Sequence, residues 1–155
     1  MPEAGLAIVA GRGALPRLIA EDCARRGRPY RVVQFEGVRL DWAEGHPVLR
    51  AAFEKPGRLF ADLRAAGCAE VTFAGGIDRP GLNPLRFDLT MLRLAPKVAA
   101  GLRAGDDRTL RLAAEIVEGE GLRLVAAQAI LADLIAPAGV LTRAAPSAAD
   151  RADAA

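Results

Sequence analysis

Residues 8–16 read Ile-Val-Ala-Gly-Arg-Gly-Ala-Leu-Pro, and their pattern is the strongest indication of the fold class. The apolar run from Leu6 to Ala10 is continuous rather than alternating, which predicts a buried parallel strand. Gly11 and Gly13 then allow a tight turn and close approach of a ligand, and Pro16 suits the first turn of a helix. Because free N–H groups at a helix start favour an anion, the stretch predicts a phosphate-containing ligand.

The match to the dinucleotide-binding fingerprint is incomplete. That fingerprint is Gly-x-Gly-x-x-Gly, and Pro16 stands where the third glycine belongs. A clear acidic residue to bind a ribose is also lacking at the end of the second predicted strand, where Glu36 is only a marginal candidate. A nicotinamide-dependent oxidoreductase is therefore disfavoured, and a standalone nucleotide or nucleotide-sugar binding module is the alternative.

Composition limits the class of protein. A chain of 155 residues forms one domain with a proper core, and its net charge is only +2. The arginines are spread along the chain with acids between them, which disfavours nucleic-acid binding. Cys23 and Cys68 have no metal-ligand spacing and are expected to be buried in a reducing cytoplasm. With no signal-peptide pattern and no apolar run of membrane-span length, we expect a cytoplasmic protein.

Strand and helix patterns alternate along the rest of the chain. Further strands are predicted at 30–35, near 48–52, at 70–74 and at 122–126. Helices are predicted at 16–26, at 56–66, from Asn83-Pro84 to about Leu94 with a restart after Pro96, at 107–118 and near 129–134. In the first helix, Leu18, Ile19 and Cys23 share the apolar face. This alternation predicts an α/β fold: a Rossmann-like open parallel sheet with helices on both faces, in a single domain.

A second glycine-rich loop follows the predicted strand at 70–74. It reads Gly75-Gly76-Ile77-Asp78-Arg79-Pro80. Ligands of open parallel sheets bind beyond the carboxyl ends of the strands, so the two loops face one crevice if their strands are neighbours. Gly11, Arg12, Gly13, Gly75, Gly76 and Arg79 are therefore the candidate ligand-binding residues. The two arginines suit bidentate phosphate binding, although solvated arginines and simple tight turns explain the same pattern.

Asp106 and Asp107 form a pair of acidic residues after Gly105. They are a weak candidate for binding a divalent metal, because carboxylates beside a phosphate site suit Mg²⁺. Helix capping explains the same pair with fewer assumptions.

No catalytic constellation is evident. His46 is the only histidine and is expected to be a loop residue, since no carboxylate or nucleophile partner is identifiable for it. Ser147 lies in an alanine-rich C-terminal segment, so serine nucleophilic catalysis is excluded. The sequence therefore predicts a binding crevice with no catalytic residue.

An ordered set of segments resembles the UDP-2,3-diacylglucosamine pyrophosphatases of the LpxI family. The first is the stretch 8–16, and the resemblance covers about residues 5–143. The later segments are Gly57-Arg58-Leu59-Phe60 with Leu63 and Gly67, Ala74-Gly75-Gly76 with Arg79-Pro80, Gly105-Asp106-Asp107 with Leu110-Arg111, Glu120-Gly121, and Pro137-Ala138-Gly139-Val140-Leu141-Thr142.

The resemblance implies a domain organisation. Members of this family have two domains, and the similarity corresponds to the amino-terminal one. We therefore expect residues 1–143 to form that domain and residues 144–155 to be a linker toward an absent catalytic domain. The family's catalytic acidic residue lies in the second domain, so no residue of this chain inherits that role.

The resemblance also implies an activity for the full enzyme. It would hydrolyse UDP-2,3-diacylglucosamine to UMP and 2,3-diacylglucosamine 1-phosphate (lipid X) in lipid A biosynthesis, with Mg²⁺ as cofactor. The implied partners are the acylated UDP-sugar, the second domain and the surface of the inner membrane. A further copy of the chain is also a candidate partner, because loss of a partner domain would expose apolar surface.

Overall fold

Five parallel strands form the central sheet, in the spatial order β3-β2-β1-β4-β5. The structure is a computed structural model that describes residues 4–78, 81–103 and 106–131. The strands are β1 (Gly5–Ala10), β2 (Tyr30–Phe35), β3 (Val48–Ala51), β4 (Cys68–Ala74) and β5 (Arg123–Leu124). This is the predicted α/β fold with an open parallel sheet.

The described residues also form five α-helices. They are α1 (Leu15–Arg26), α2 (Pro56–Ala65), α3 (Leu89–Arg103), α4 (Asp106–Gly119) and α5 (Ala127–Ile130). The helices α1 and α5 supply the core on one face of the sheet, and α2 and α4 supply it on the other. The prediction of helices on both faces is confirmed.

The central strand β1 is buried on both faces. Leu6 and Ile8 pack against α1 on one side, and Val9 packs toward α2 on the other. Complete burial of a leucine or isoleucine side chain contributes about 1.5–3 kcal/mol. A continuous apolar run is therefore what this position in the sheet requires. The strand holds its carboxyl end, and the loop after it, in a fixed place.

The prediction that a helix starts at Asn83-Pro84 is wrong. Pro84–Arg86 instead forms a single 3-10 turn, in which the Asn83 side chain accepts a hydrogen bond from the N–H of Leu85. Phe87 is extended, so the turn does not continue into a helix. The helix α3 begins only after Asp88, whose carboxylate accepts a hydrogen bond from the N–H of Met91.

Pro96 also differs from its prediction, since α3 runs through it to Arg103 without a break. The ring removes one helical hydrogen bond, but Pro96 is exposed, so water can solvate the carbonyl that is left. The prediction that Leu18 shares the apolar face of α1 with Ile19 and Cys23 is wrong, because Leu18 is 39% exposed whereas Ile19 and Cys23 are buried.

Cys23 and Cys68 are buried and form no disulfide, as predicted. Burial raises the pKa of the Cys68 thiol above its ordinary value. Within the described residues, no helix has both the length and the apolar character needed to cross a membrane.

Candidate phosphate site at the carboxyl edge of the sheet

The two glycine-rich loops cross at the carboxyl edge of the sheet, between the neighbouring strands β1 and β4. The N–H of Arg12 donates to the carbonyl of Gly76 at 2.7 Å, and the N–H of Gly76 donates to the carbonyl of Arg12 at 3.1 Å. The N–H of Gly11 donates to the carbonyl of Ala74 at 2.8 Å. The structure thus brings together five of the six predicted ligand-binding residues.

Two of the glycines are required by this crossing. A Cβ on Gly75 would lie 2.2 Å from the carbonyl oxygen of Arg12, and the φ of Gly75 is +82°. A Cβ on Gly11 would lie 2.5 Å from the carbonyl oxygen of Gly76. Contact between the two backbones therefore explains why these positions lack side chains, before any ligand is considered.

Gly76 and Gly13 have more space. A Cβ on Gly76 would meet only Nη2 of Arg12, at 3.9 Å. A Cβ on Gly13 would meet nothing within 4 Å, although its φ of +100° favours glycine. At Gly76, therefore, neither the backbone conformation nor the neighbouring atoms explain the lack of a side chain.

Arg12 is already engaged by a carboxylate. Its Nη1 and Nη2 atoms donate to the two carboxylate oxygens of Asp78 at 2.8 and 2.9 Å. Both side chains are well exposed, at 67% for Arg12 and 78% for Asp78. An exposed ion pair of this kind contributes about 0–1 kcal/mol, so another anion could displace Asp78 at little cost.

The N-cap residue of the helix that follows the first loop makes no side-chain cap hydrogen bond. Ala14 is its N-cap residue and has no side-chain oxygen to accept a hydrogen bond from the first turn. Pro16 lies in that turn, as predicted. The positive end of α1 therefore follows directly on the loop crossing.

Glu36 follows β2 at the same edge of the sheet. Its carboxylate accepts two hydrogen bonds from Nη2 of Arg86, at 2.9 and 2.7 Å. Those hydrogen bonds, together with the charges of Glu36 and Glu54, raise the pKa of Arg86. The residue that would have to bind a ribose in a dinucleotide site is thus paired within the chain, which further disfavours the oxidoreductase interpretation.

His46 has a structural environment away from the loop crossing. Its Nδ1 lies 2.6 Å from the hydroxyl of Tyr30, and its ring makes edge contacts with Tyr30 and Trp42. Burial, with a smaller contribution from Cys23, raises the pKa of Tyr30. His46 is half-buried in this aromatic cluster, so it is a packed residue rather than a solvated one.

Similarity to known proteins extends over the whole sheet and its helices. Residues 5–134 match the family model described as LpxI N-terminal domain. The chain belongs to this family. A curated relative, the UDP-2,3-diacylglucosamine pyrophosphatase LpxI of Caulobacter vibrioides, is 31% identical over 148 residues. That alignment covers 96% of this chain and 53% of the relative, so the chain spans about half of the relative's length.

Among solved structures, a chain described as AtPrR2 in apo form matches this LpxI N-terminal domain at 16% identity with a TM-score of 0.43. The match covers 80% of this chain and 47% of the other. A similarity of this size says nothing about function.

Three predicted site residues of this LpxI N-terminal domain have no described side-chain position. Arg79 lies outside the described residues. Asp106 and Asp107 open α4, but their side chains also lie outside what the structure describes. Within 4–78, 81–103 and 106–131, no group of three or more His, Cys, Asp or Glu side chains could hold a metal ion.

Sequence reasoning missed two carboxylates of this edge. Asp78 belongs to the second glycine-rich loop, but its pairing with Arg12 joins residues 66 positions apart. Asp88 accepts hydrogen bonds from the N–H groups of Gly57 and Arg58 at the start of α2, as well as from Met91. An acid before the apolar run at Leu89 is a capping signal, and it could have identified Asp88.

Proposed function

We propose that this chain is the substrate-binding half of a UDP-2,3-diacylglucosamine pyrophosphatase. The full enzyme would hydrolyse the pyrophosphate of that substrate to give UMP and 2,3-diacylglucosamine 1-phosphate in lipid A biosynthesis. Membership of the LpxI N-terminal domain family supports this, as does the activity named for the Caulobacter vibrioides relative.

The observation that carries the proposal is the loop crossing in front of α1. Two loops from adjacent parallel strands meet at the carboxyl edge of the sheet, where ligands of this fold class bind. The uncapped start of α1 adds a positive end that favours an anion. In our proposal the pyrophosphate lies across Gly13, Gly76 and the first turn of α1.

Arg12 is the proposed phosphate-binding side chain. Its guanidinium makes a bidentate pair with Asp78, and a phosphate offers the same two-oxygen geometry with more negative charge. Because the Arg12–Asp78 pair is exposed, the exchange of carboxylate for phosphate costs little. Arg79, one position beyond Asp78, is proposed as a second phosphate ligand on the strength of the sequence alone.

Hydrolysis itself is assigned to the rest of the longer protein. The resemblance to the LpxI family places the catalytic acid in the second domain, and within the described residues no group of three or more His, Cys, Asp or Glu side chains could hold a metal ion. We therefore propose that this chain binds the UDP-sugar without turning it over, and that a second domain supplies the catalytic acid. Mg²⁺ dependence belongs to the same proposal, with Asp106 and Asp107 as weak candidate ligands in this half.

The location and assembly of the protein are proposed from its substrate. A diacylated sugar resides at a membrane surface, so the cytoplasmic enzyme would meet it by peripheral contact with the inner membrane. Association with the second domain or with another copy of the chain would cover apolar surface such as Leu85 and Leu89, which are 96% and 76% exposed.

Calorimetric titration of the chain with UDP and with NADH tests the proposal. We expect UDP to bind and Arg12→Gln to weaken that binding about tenfold to a hundredfold, as loss of a charge-assisted bidentate contact implies. Arg64→Gln is the matched control, since Arg64 lies in the last turn of α2, at the opposite edge of the sheet, and pairs with Glu120. Its affinity for UDP should equal that of the unmodified chain.

Two outcomes contradict the proposal. Binding of NADH without UDP would favour an oxidoreductase domain, and equal UDP affinity in the Arg12→Gln variant would remove Arg12 from the site. The claim that this half is inactive alone has its own assay, which is release of UMP from UDP-2,3-diacylglucosamine. A rate near that of a two-domain relative would overturn it.

A further inference from the structure

A large apolar cavity opens beside the loop crossing. Its volume is about 510 Å³, and its lining extends from the loop residues Gly75, Gly76 and Asp78 into the layer between the sheet and the helices α2, α3 and α4. Cavities of this size hold small-molecule ligands in many proteins. The cavity therefore reaches the proposed phosphate site at one end and the hydrophobic core at the other.

The cavity exists because two helices stand away from the sheet. The helix α3 contacts α2, and α4 contacts β5, so the pair joins the layer at its two sides. Between α3 and α4 the packing is tight: a Cβ on Gly101 would lie 2.5 Å from Cδ2 of Leu112. The helix pair thus covers the sheet as one unit and leaves the space beneath it unfilled.

The walls of the cavity are apolar. Its deep end is formed by buried side chains that include Leu63, Val71 and Val117. Near its surface lies Leu110, which is 58% exposed and also lines the cavity. Among the described residues, Asp78 and Thr109 are the polar side chains of the lining. An apolar space of this kind favours hydrocarbon over water.

We propose that this cavity binds one acyl chain of a ligand whose phosphate lies at the loop crossing. The inference rests on the proposed function for the identity of the head group, and it assigns the chain to the space between the sheet and α2–α4. The polar end at Gly76 and Asp78 and the apolar interior match the two ends of such an amphiphile. Phosphate binding and chain burial then take place on adjoining surfaces of one domain.

Alkyl phosphates of increasing length test the assignment without the natural substrate. Butyl, octyl and dodecyl phosphate would be titrated below their micelle-forming concentrations, with UDP measured in parallel. Each buried methylene should strengthen binding about fourfold. Burial of only four additional methylenes would therefore make dodecyl phosphate about 250-fold tighter than butyl phosphate, with a more negative heat-capacity change of binding.

Ala113→Phe is designed to fill the cavity from α4. Ala113 lines the cavity, while the neighbouring Ala114 does not, so Ala114→Phe is the matched control. Ala113→Phe should lose most of the advantage of the longer chain and keep its affinity for UDP and butyl phosphate. Val98→Phe blocks the same space from α3 and provides a second variant if Ala113→Phe is poorly folded.

The outcomes separate this inference from the proposed function. Affinity for alkyl phosphates that does not rise with chain length would overturn the acyl cavity, even if UDP binds as expected. A length dependence that survives in both blocked variants would also overturn it, because the chain would then bind elsewhere. Failure of UDP to bind, with the length dependence present and abolished by Ala113→Phe, would support the cavity and contradict the UDP-sugar assignment.

Discussion

Two helices start at the carboxyl edge of this sheet with a proline in the first turn, and they differ in how their N–H groups are satisfied. At α2, the carboxylate of Asp88 accepts hydrogen bonds from Gly57 at 2.8 Å and Arg58 at 3.3 Å. At α1, the N-cap is Ala14, and no side chain among the described residues caps the turn. In the part of the chain that the structure describes, one helix start is thus capped by a carboxylate and the other is not.

This difference assigns a structural role to the start of α2. Asp88 belongs to the beginning of α3, so its carboxylate joins two helices that are far apart in sequence. A phosphate at α2 would have to displace a half-buried carboxylate from several hydrogen bonds at once. At α1 an incoming anion meets only the exposed Arg12–Asp78 pair, which is why we assign the phosphate there.

The largest expected effect concerns the loop crossing that precedes α1. Gly75→Val should lower the free energy of unfolding by about 3–5 kcal/mol, because its Cβ would meet the Arg12 carbonyl oxygen at 2.2 Å in a left-handed backbone. Urea denaturation followed by circular dichroism measures this. Gly76→Ala is the control, since its Cβ has 3.9 Å of clearance and its stability should change by less than about 1 kcal/mol.

The same pair of variants also tests the role of the loop crossing in UDP binding. Gly76→Ala should fold normally and yet weaken UDP binding, because a methyl group would stand where the phosphate approaches. If Gly75→Val were as stable as the unmodified chain, the crossing would not be rigid. If Gly76→Ala bound UDP without loss, the glycine would have no role in binding.

An effect of intermediate size is expected at α2. Asp88→Ala removes the acceptor of three backbone N–H groups and should destabilise the fold by about 2 kcal/mol. Asp62→Ala removes an exposed carboxylate of the same helix, paired to Arg58 at 3.7 Å, and should cost less than about 0.5 kcal/mol.

UDP affinity distinguishes the role of α2 from that of α1. It should be the same in Asp88→Ala as in the unmodified chain, because Asp88 caps a helix start that we do not assign to the ligand. A loss of UDP binding that exceeds the loss of stability would place the ligand near α2 and reverse the comparison.

The half of the molecule around β1 was predictable because its signals are local. An unbroken apolar run identifies the strand, Gly11 and Gly13 identify the turn, and Pro16 identifies the helix start. All three signals lie within eleven residues and agree with one another. The strand is also buried on both faces, so the tertiary environment requires the same apolar residues that the sequence pattern contains.

The region around Asp88 was harder to predict because two local signals for a helix start compete there. Asn83-Pro84 and Asp88-Leu89 both resemble helix starts, and the first one forms only a 3-10 turn. The choice depends on Gly57 and Arg58, which are more than twenty residues earlier in the chain. The pairing of Arg12 with Asp78 was invisible for the same reason, since no spacing rule links residues on separate loops.

The smallest effect on stability is expected where α1 is made to resemble α2. Ala14→Asp places a carboxylate at the uncapped start, but Ala14 has helical angles, with φ −83° and ψ −25°, rather than the extended angles of a side-chain cap. The interaction with the helix dipole alone should stabilise the fold by about 0.5 kcal/mol.

Binding of UDP to Ala14→Asp should nevertheless weaken about tenfold, since the new charge repels the phosphate. Ala14→Asn has nearly the same shape without the charge and should keep most of the affinity. The difference between the two variants should shrink as salt rises, because exposed charges are screened. Equal UDP affinity in Ala14→Asp and Ala14→Asn would mean that the phosphate does not lie at α1, and the two helix starts would then differ in stability alone.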